Sequence, residues 1–276
     1  MRKVAIALFT LIVLCACLLF GYLEGFHIKR ETPAELEAFL SDHYEVFTPE
    51  GTGPFPTVVG YHGCSGTLHG SRDWARFLNK AGYAVVHVES IKPRELDWPD
   101  VCSGKKLWGS ERAGDIMVSL DAIRNMPFVN PDQLHLIGWS HGGWSIMDAL
   151  TFAGDRKRPP NLKSMADHPL SGVQSATLFY PFCEFPARGR HGWPQDFPVH
   201  FMFAETDSIV SNAACEAIIS KQVANGKPTT SKTYANTDHA FDMRDEDFYD
   251  CCLTHQPDAT REAYADMLIN LRRWTQ

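Results

Sequence analysis

Gly138-Trp139-Ser140-His141-Gly142 is a G-x-S-x-G stretch, preceded by the apolar run Leu134 to Ile137 and followed by a helix-like run from Trp144 to Phe152. This is the strand, sharp turn and helix context of a nucleophile elbow, which holds a serine hydroxyl where a base can reach it. A serine hydroxyl is a weak nucleophile near neutral pH. It needs a base to take its proton and an acid to orient that base. Where an elbow carries the serine, the partners follow in the chain order Ser, then Asp or Glu, then His. Asp207 follows the apolar run ending at Ala204, and His239 follows a second run ending at Tyr234. Ser140, Asp207 and His239 are therefore the candidate catalytic residues. Glu205 and Asp238 rival Asp207 as the acid, and His255 is an alternative base. His62, beside a glycine, reads as structural.

Attack on a carbonyl also requires donors for the oxyanion. One is the backbone N–H after the nucleophile, here that of His141. The other comes from a loop after an early strand. His62-Gly63-Cys64-Ser65-Gly66 directly follows the run Thr57 to Tyr61, which makes the N–H of Cys64 the second candidate.

These residues need a scaffold. Runs at 57–61, 83–88, 134–137, 176–180, 199–204 and 229–234 read as strands. Ile116, Met117, Leu120 and Ile123 fit a helix packed on a sheet, 213–223 reads as another helix, and Ala263, Met267, Leu271 and Trp274 line one face of a last one. Thr32-Pro33-Ala34-Glu35 is a capping box with Pro at the first helical position. Alternating strands and helices imply a parallel sheet covered on both faces. The Pro-, Gly- and charge-rich segments 153–175 and 181–198 read as loops over the top of the sheet. Each candidate site residue falls just past the C-terminal end of a strand, where open α/β sheets place their sites.

The 276 residues, 44% hydrophobic and 21% charged, suit one large domain. A net charge of −7 with only short basic clusters argues against nucleic-acid binding. Arg2 and Lys3 precede an apolar run from Val4 to Leu23, long enough for a hydrocarbon core. Residues 1–25 thus read as a signal anchor or signal peptide. The membrane is then a partner through that segment, and residues 26–276 are a catalytic domain on the non-cytoplasmic side, periplasmic in a bacterium. Cys15 and Cys17 fall in the run. The other six, Cys64, Cys102, Cys183, Cys215, Cys251 and Cys252, allow disulfides in such a compartment, with fifteen possible connectivities. None shows zinc-site spacing, and no metal or organic cofactor is expected.

Over residues 44–245 or so, the chain resembles the dienelactone hydrolase-like family of the α/β-hydrolase superfamily. The resemblance rests on His62-Gly63-Cys64-Ser65-Gly66, Pro93-Arg94 with Cys102, Arg112 with Asp115, Gly138-Trp139-Ser140-His141-Gly142-Gly143, Tyr180-Pro181-Phe182-Cys183, Glu205-Thr206-Asp207 and Asp238-His239-Ala240-Phe241-Asp242. It implies an α/β-hydrolase fold, a mostly parallel sheet with helices on both faces, preceded here by the N-terminal apolar helix. It implies a triad falling on Ser140, Asp207 and His239. The family's namesakes carry cysteine at the elbow, and serine there points to a general carboxylic ester hydrolase acting on small-molecule esters. A peptidase or amidase with the same triad, or a non-catalytic binding protein on this scaffold, is the alternative. The resemblance also suggests Cys64–Cys102 and Cys183–Cys215 pairs that brace loops around the site. Cys251 and Cys252 are left reduced, bridged to each other or paired with another chain. Arg112 and Asp115, one turn apart, read as a salt-bridged pair anchoring a helix beside the elbow, with substrate binding by Arg112 as the alternative. Trp108, Trp139 and Trp193 are candidates for lining the pocket or for core packing.

Overall fold

Among the described residues, inner strands rich in Val, Leu, Ile and Phe and buried on both faces, with more polar and partly exposed edge strands, form a single seven-stranded sheet in the order β1-β3-β2-β4-β5-β6-β7. The strands are β1 (Tyr44–Phe47), β2 (Phe55–Tyr61), β3 (Ala84–Val88), β4 (Val129–Trp139), β5 (Val173–Phe179), β6 (Val199–Ala204) and β7 (Thr229–Tyr234). Only β1 runs antiparallel, on the outer edge of β3. The computed structural model describes residues 2–23, 25–247 and 253–274. Its helices are α1 (Arg2–Leu23), α2 (Pro33–Ser41), α3 (His69–Lys80), α4 (Trp98–Cys102), α5 (Gly109–Ile123), α6 (His141–Asp155), α7 (Asn212–Ala224) and α8 (Pro257–Trp274).

Successive strand residues point to opposite faces, so one sheet feeds two cores. Val59, Leu136 and Phe201 pack with Ile116 and Leu120 of α5, Ile146 and Leu150 of α6 and Ile218 of α7. Val58, Ile137 and Met202, each one position away, pack with Trp74 and Leu78 of α3 and Met267 and Leu271 of α8. Burial on both faces is what a parallel sheet requires, and it explains the near-continuous apolar strands. The register of β2 against β4, with Tyr61 opposite Gly138, sets the turn after β2 beside the turn after β4.

The Thr32 capping box forms as expected: the Thr32 hydroxyl accepts from the Glu35 N–H and the Glu35 carboxylate from the Thr32 N–H. α1 is a 22-residue helix whose large apolar side chains, among them Phe9, Ile12, Leu18 and Phe20, stand exposed. It meets the rest of the chain at its end, where Tyr22 stacks on His27 and meets Trp108 edge-on, and where Arg188 donates to the Leu23 carbonyl. Among the described residues, no helix is long and apolar enough to cross a membrane. The anchor expected over residues 1–25 therefore finds no support there.

Candidate active site

Ser140 sits between β4 and α6 at φ 50° and ψ −109°, a left-handed conformation unusual for a residue with a side chain. Such geometry costs about 1–3 kcal/mol and persists only where its surroundings impose it. Here the Ser140 N–H donates to the Phe179 carbonyl of β5 at 2.8 Å, and its carbonyl accepts the Trp144 N–H at 3.1 Å. The flanking glycines let α6 start against the sheet. A Cβ on Gly142 would lie 2.0 Å from the Tyr61 carbonyl oxygen, and one on Gly138 would lie 2.7 Å from the backbone of Gly142 and Gly143.

His239, on the loop after β7, and Asp207, on the loop after β6, come together. The His239 Nδ1 lies 2.9 and 3.1 Å from the two Asp207 carboxylate oxygens. The same carboxylate accepts the N–H groups of Ile209 and Val210, each at 2.9 Å, so the aspartate is fixed before it meets the imidazole. The rival acids do other work. Asp238 accepts from the Ser208 N–H and hydroxyl and from the His239 N–H, tying the two loops together. Glu205 accepts the Asn236 N–H. His255 bonds to Thr260 at the start of α8 and lies outside the cavity that Ser140 and His239 share.

Behind His239 stands a polar knot that the sequence reading did not anticipate. The Tyr180 ring lies 4.5 Å from the His239 ring. Its hydroxyl donates to Asp242, which also accepts the indole N–H groups of Trp74 and Trp139 at 2.7 and 2.9 Å. Burial raises the Asp242 carboxyl above its ordinary value, against the pull of these three donors. The knot locks the Trp139 and Tyr180 rings on either side of the elbow.

The turn His62 to Gly66 passes beside Ser140: a Cβ on Gly63 would lie 3.8 Å from the Ser140 Cβ. That brings the segments carrying the Cys64 and His141 N–H groups to one end of the sheet. Arg112, 1% exposed, holds both segments from behind. Its Nη1 donates to the His62 carbonyl at 2.9 Å and to the His141 Nδ1 at 3.0 Å. Burial pushes the Arg112 guanidinium down to about 10, so it is still charged at neutral pH. Burial, and then the Arg112 charge, hold the His141 ring well below the usual histidine range. His141 is thus neutral, accepting at Nδ1 with its proton on Nε2.

The expected Arg112–Asp115 pair is replaced by two separate partnerships. Asp115 takes a bidentate pair with Arg94 at 2.8 and 3.0 Å, because Arg112 points to the elbow while Arg94 reaches down from the turn after β3. Nor does Arg112 line the cavity, which removes it as a substrate ligand. Glu89, at the end of β3, is a second positioning residue that sequence reasoning missed. It accepts the N–H groups of Thr67 and Ile91 at 2.9 and 2.8 Å and faces the His62 Nε2 at 3.0 Å. Burial opposes its charge, but the His62 ring and the backbone donors outweigh it and hold the carboxyl well below the usual carboxylate range. A carboxylate at the end of a mostly apolar strand was its only sequence signal.

Both disulfide pairings are present, Cys64–Cys102 and Cys183–Cys215. Cys251 and Cys252 lie outside the described residues. Ser140, His141 and His239 line one cavity of about 500 Å³, together with Cys64, Cys102, Trp98, Trp108, Trp139, Trp144 and Phe182. Of the three tryptophans proposed for the pocket, Trp108 and Trp139 line it. Trp193 instead stacks near Phe201 in the core, because the loop that carries it folds over α6 and α7. Among the described residues, no cluster of three metal-ligating side chains occurs.

Comparison with known proteins agrees with this architecture. The model of the dienelactone hydrolase family matches residues 163–274, and that of the prolyl oligopeptidase family matches residues 73–156. A search of curated protein sequences finds no match. Among solved structures, a dienelactone hydrolase-like promiscuous phosphotriesterase from metagenomic libraries superposes with a TM-score of 0.65 at 15% identity, over 84% of this chain and 92% of its own. Esterase B from Lactobacillus rhamnosis, inhibited by a tributyrin phosphonate, gives 0.61 at 16% identity, over 84% of this chain and 80% of its own. Esterase 2 from Thermogutta terrifontis, phosphonylated by sarin, gives 0.60 at 10% identity, over 82% of this chain and 87% of its own. At these identities the structural likeness speaks for the fold. The family match over residues 163–274 agrees with that fold, and over those residues the chain is similar to the dienelactone hydrolase family.

Proposed function

We propose that this protein is a serine hydrolase that cleaves carboxylic esters through an acyl-enzyme, its catalytic domain spanning residues 26–276. The observation that carries the reading is the His239–Asp207 pair, closed at 2.9 Å in the same cavity that holds Ser140. His239 Nε2 takes the Ser140 proton as Oγ attacks the ester carbonyl. Asp207 keeps the Nδ1–H tautomer in place and stabilises the imidazolium. The N–H groups of Cys64 and His141 receive the oxyanion, each such donor being worth about 2.7–4 kcal/mol of barrier in comparable sites. As the tetrahedral intermediate collapses, His239 protonates the departing alkoxide. Water, deprotonated by His239, then releases the acid and restores Ser140.

Solved relatives that carry phosphonates support a direct test, because a fluorophosphonate reacts with an activated serine. The wild-type protein should be labelled and should hydrolyse aryl esters, and Ser140→Ala should lose both. An unlabelled, inactive wild type would end the proposal. The prolyl oligopeptidase match over residues 73–156, which contains the elbow, favours a second reading as a peptidase or amidase. Turnover of peptide amides above that of esters would select it. The two disulfides support an oxidising, non-cytoplasmic compartment for the domain.

A further inference from the structure

The cavity at Ser140 is large and its chemistry is one-sided. Among the described residues, its lining includes no Lys, Arg, Asp or Glu. The polar atoms of Trp108, Trp144 and Tyr180 in its walls are already turned to the protein. The Trp108 indole N–H donates to the Gly104 carbonyl at 2.6 Å, the Trp144 indole N–H to Asp148 at 2.9 Å, and the Tyr180 hydroxyl to Asp242. Of the cations nearby in the fold, Arg112 lies behind the lining and donates through Nη1 to the His62 carbonyl and His141, Arg94 pairs with Asp115, and Arg190, over the Phe185 ring, donates to the Ala187 carbonyl. Apart from the Ser65, Ser71 and Ser103 hydroxyls and the His141 ring beside the elbow, what the walls offer a bound molecule is ring face and aliphatic carbon, with Trp144 and Phe182 in contact at 5.1 Å between ring centres.

The triad orients the occupant. His239 returns its proton to the leaving oxygen, so the leaving group lies on the side of the His239 and Asp207 loops, where Ile209 and Met243 line the cavity. The acyl part then takes the remaining lining, which includes Trp108, Trp144 and Phe182. A carboxylate on that acyl part would be stripped of water with no cation or free donor among these rings to receive it, and burying an unpaired charge is strongly unfavourable.

We infer that the cavity selects uncharged esters with apolar acyl groups and excludes esters whose acyl chain bears a carboxylate. This inference rests on the ester-hydrolase reading above and names its substrate class. The test compares p-nitrophenyl pentanoate with the p-nitrophenyl monoester of glutaric acid, which matches it in chain length and adds a terminal carboxylate. Measured on the full chain, kcat/KM for the anionic ester should be lower by about 100-fold or more. The gap should persist at about 1 M salt, where screening acts beyond about 3 Å. Trp98→Arg, at a 59% exposed position on the rim, should narrow the gap about tenfold by supplying a cation. Similar kcat/KM for the two esters in the wild type would overturn the selectivity while leaving the esterase intact. A gap that closes in high salt would assign it to the overall charge and likewise overturn the role of the cavity. If neither ester is turned over and no fluorophosphonate labelling occurs, the ester-hydrolase reading falls first and the inference falls with it.

Discussion

Asp207, Asp238 and Glu205 show how position rather than residue type assigns chemistry. All three carboxylates sit within a few residues of the same two strand ends, yet only Asp207 meets the His239 ring. Asp207→Asn should lower kcat by about 10⁴, because an amide can hold the wrong imidazole tautomer. Asp238→Asn, which touches only the backbone and Ser208, should lower it far less. Steady-state kinetics on a short aryl ester separates the two, and equal losses would contradict the assignment. Gly142 makes a second case. With 2.0 Å from its virtual Cβ to the Tyr61 oxygen, Gly142→Ala must push α6 away from β2. Overpacking of this kind costs about 1–3 kcal/mol. Because the displaced atoms adjoin the proposed oxyanion donors, activity should fall more steeply than the melting temperature. His141 and Arg112 complete the residue scale: a histidine read for its N–H proves to be held by its ring as well, through a guanidinium 29 positions away.

At the scale of elements, the two disulfides each anchor a wall of the cavity. Cys64 belongs to the turn after β2, and Cys102 ends α4, whose Trp98 and Val101 line the cavity. Cys183 follows Phe182, another lining residue, and ties it to α7. Closing the 38-residue span between Cys64 and Cys102 removes unfolded-state entropy equivalent to about 4 kcal/mol in the chain-entropy model. Cys102→Ser should therefore lower stability by up to about that amount. It should also weaken ester turnover, by freeing the turn that carries the Cys64 N–H. Denaturant unfolding and kcat/KM, measured side by side, check both halves. A variant as stable and active as the wild type would deny the bridge its bracing role. Element boundaries were legible where the pattern was simple. The apolar run 199–204 and the alternating run 229–234 are β6 and β7 as read. α5 begins earlier than its apolar pattern suggested, because Ser110, Arg112, Asp115 and Ser119 are buried too and leave little polar face to mark it. α3 escaped notice because Trp74, Ala75 and Leu78 are its few large buried contacts within a polar sequence.

The whole molecule carries a titration that no single element reveals. Asp148 of α6 is buried, accepting from the Trp144 indole and from the Gly189 N–H across the loop above it. Burial pushes its carboxyl up from 3.8 to about 7. Between about pH 4 and 7 the folded protein thus holds a proton that the unfolded chain has released. The contribution to stability is full below about pH 4 and is lost as pH rises through 7. Asp148→Asn should flatten this slope while losing one of the two hydrogen bonds, at a cost of about 1–3 kcal/mol. Urea titrations across that range read it directly, and an unchanged slope in the variant would place the titration elsewhere. By itself, the sequence determined the alternation of strands and helices, the strand-turn-helix around Ser140 and the chain order of Ser140, Asp207 and His239. All of these follow from local periodicity and from residues placed just past strand ends. Tertiary structure alone decided which carboxylate meets His239, that Arg112 serves the elbow while Arg94 serves Asp115, that Glu89 braces the turn after β2, and that the cavity walls are apolar. Those outcomes depend on side chains from distant strand ends competing for the same few partners. That competition is set by sheet register and burial, which no local stretch of sequence encodes.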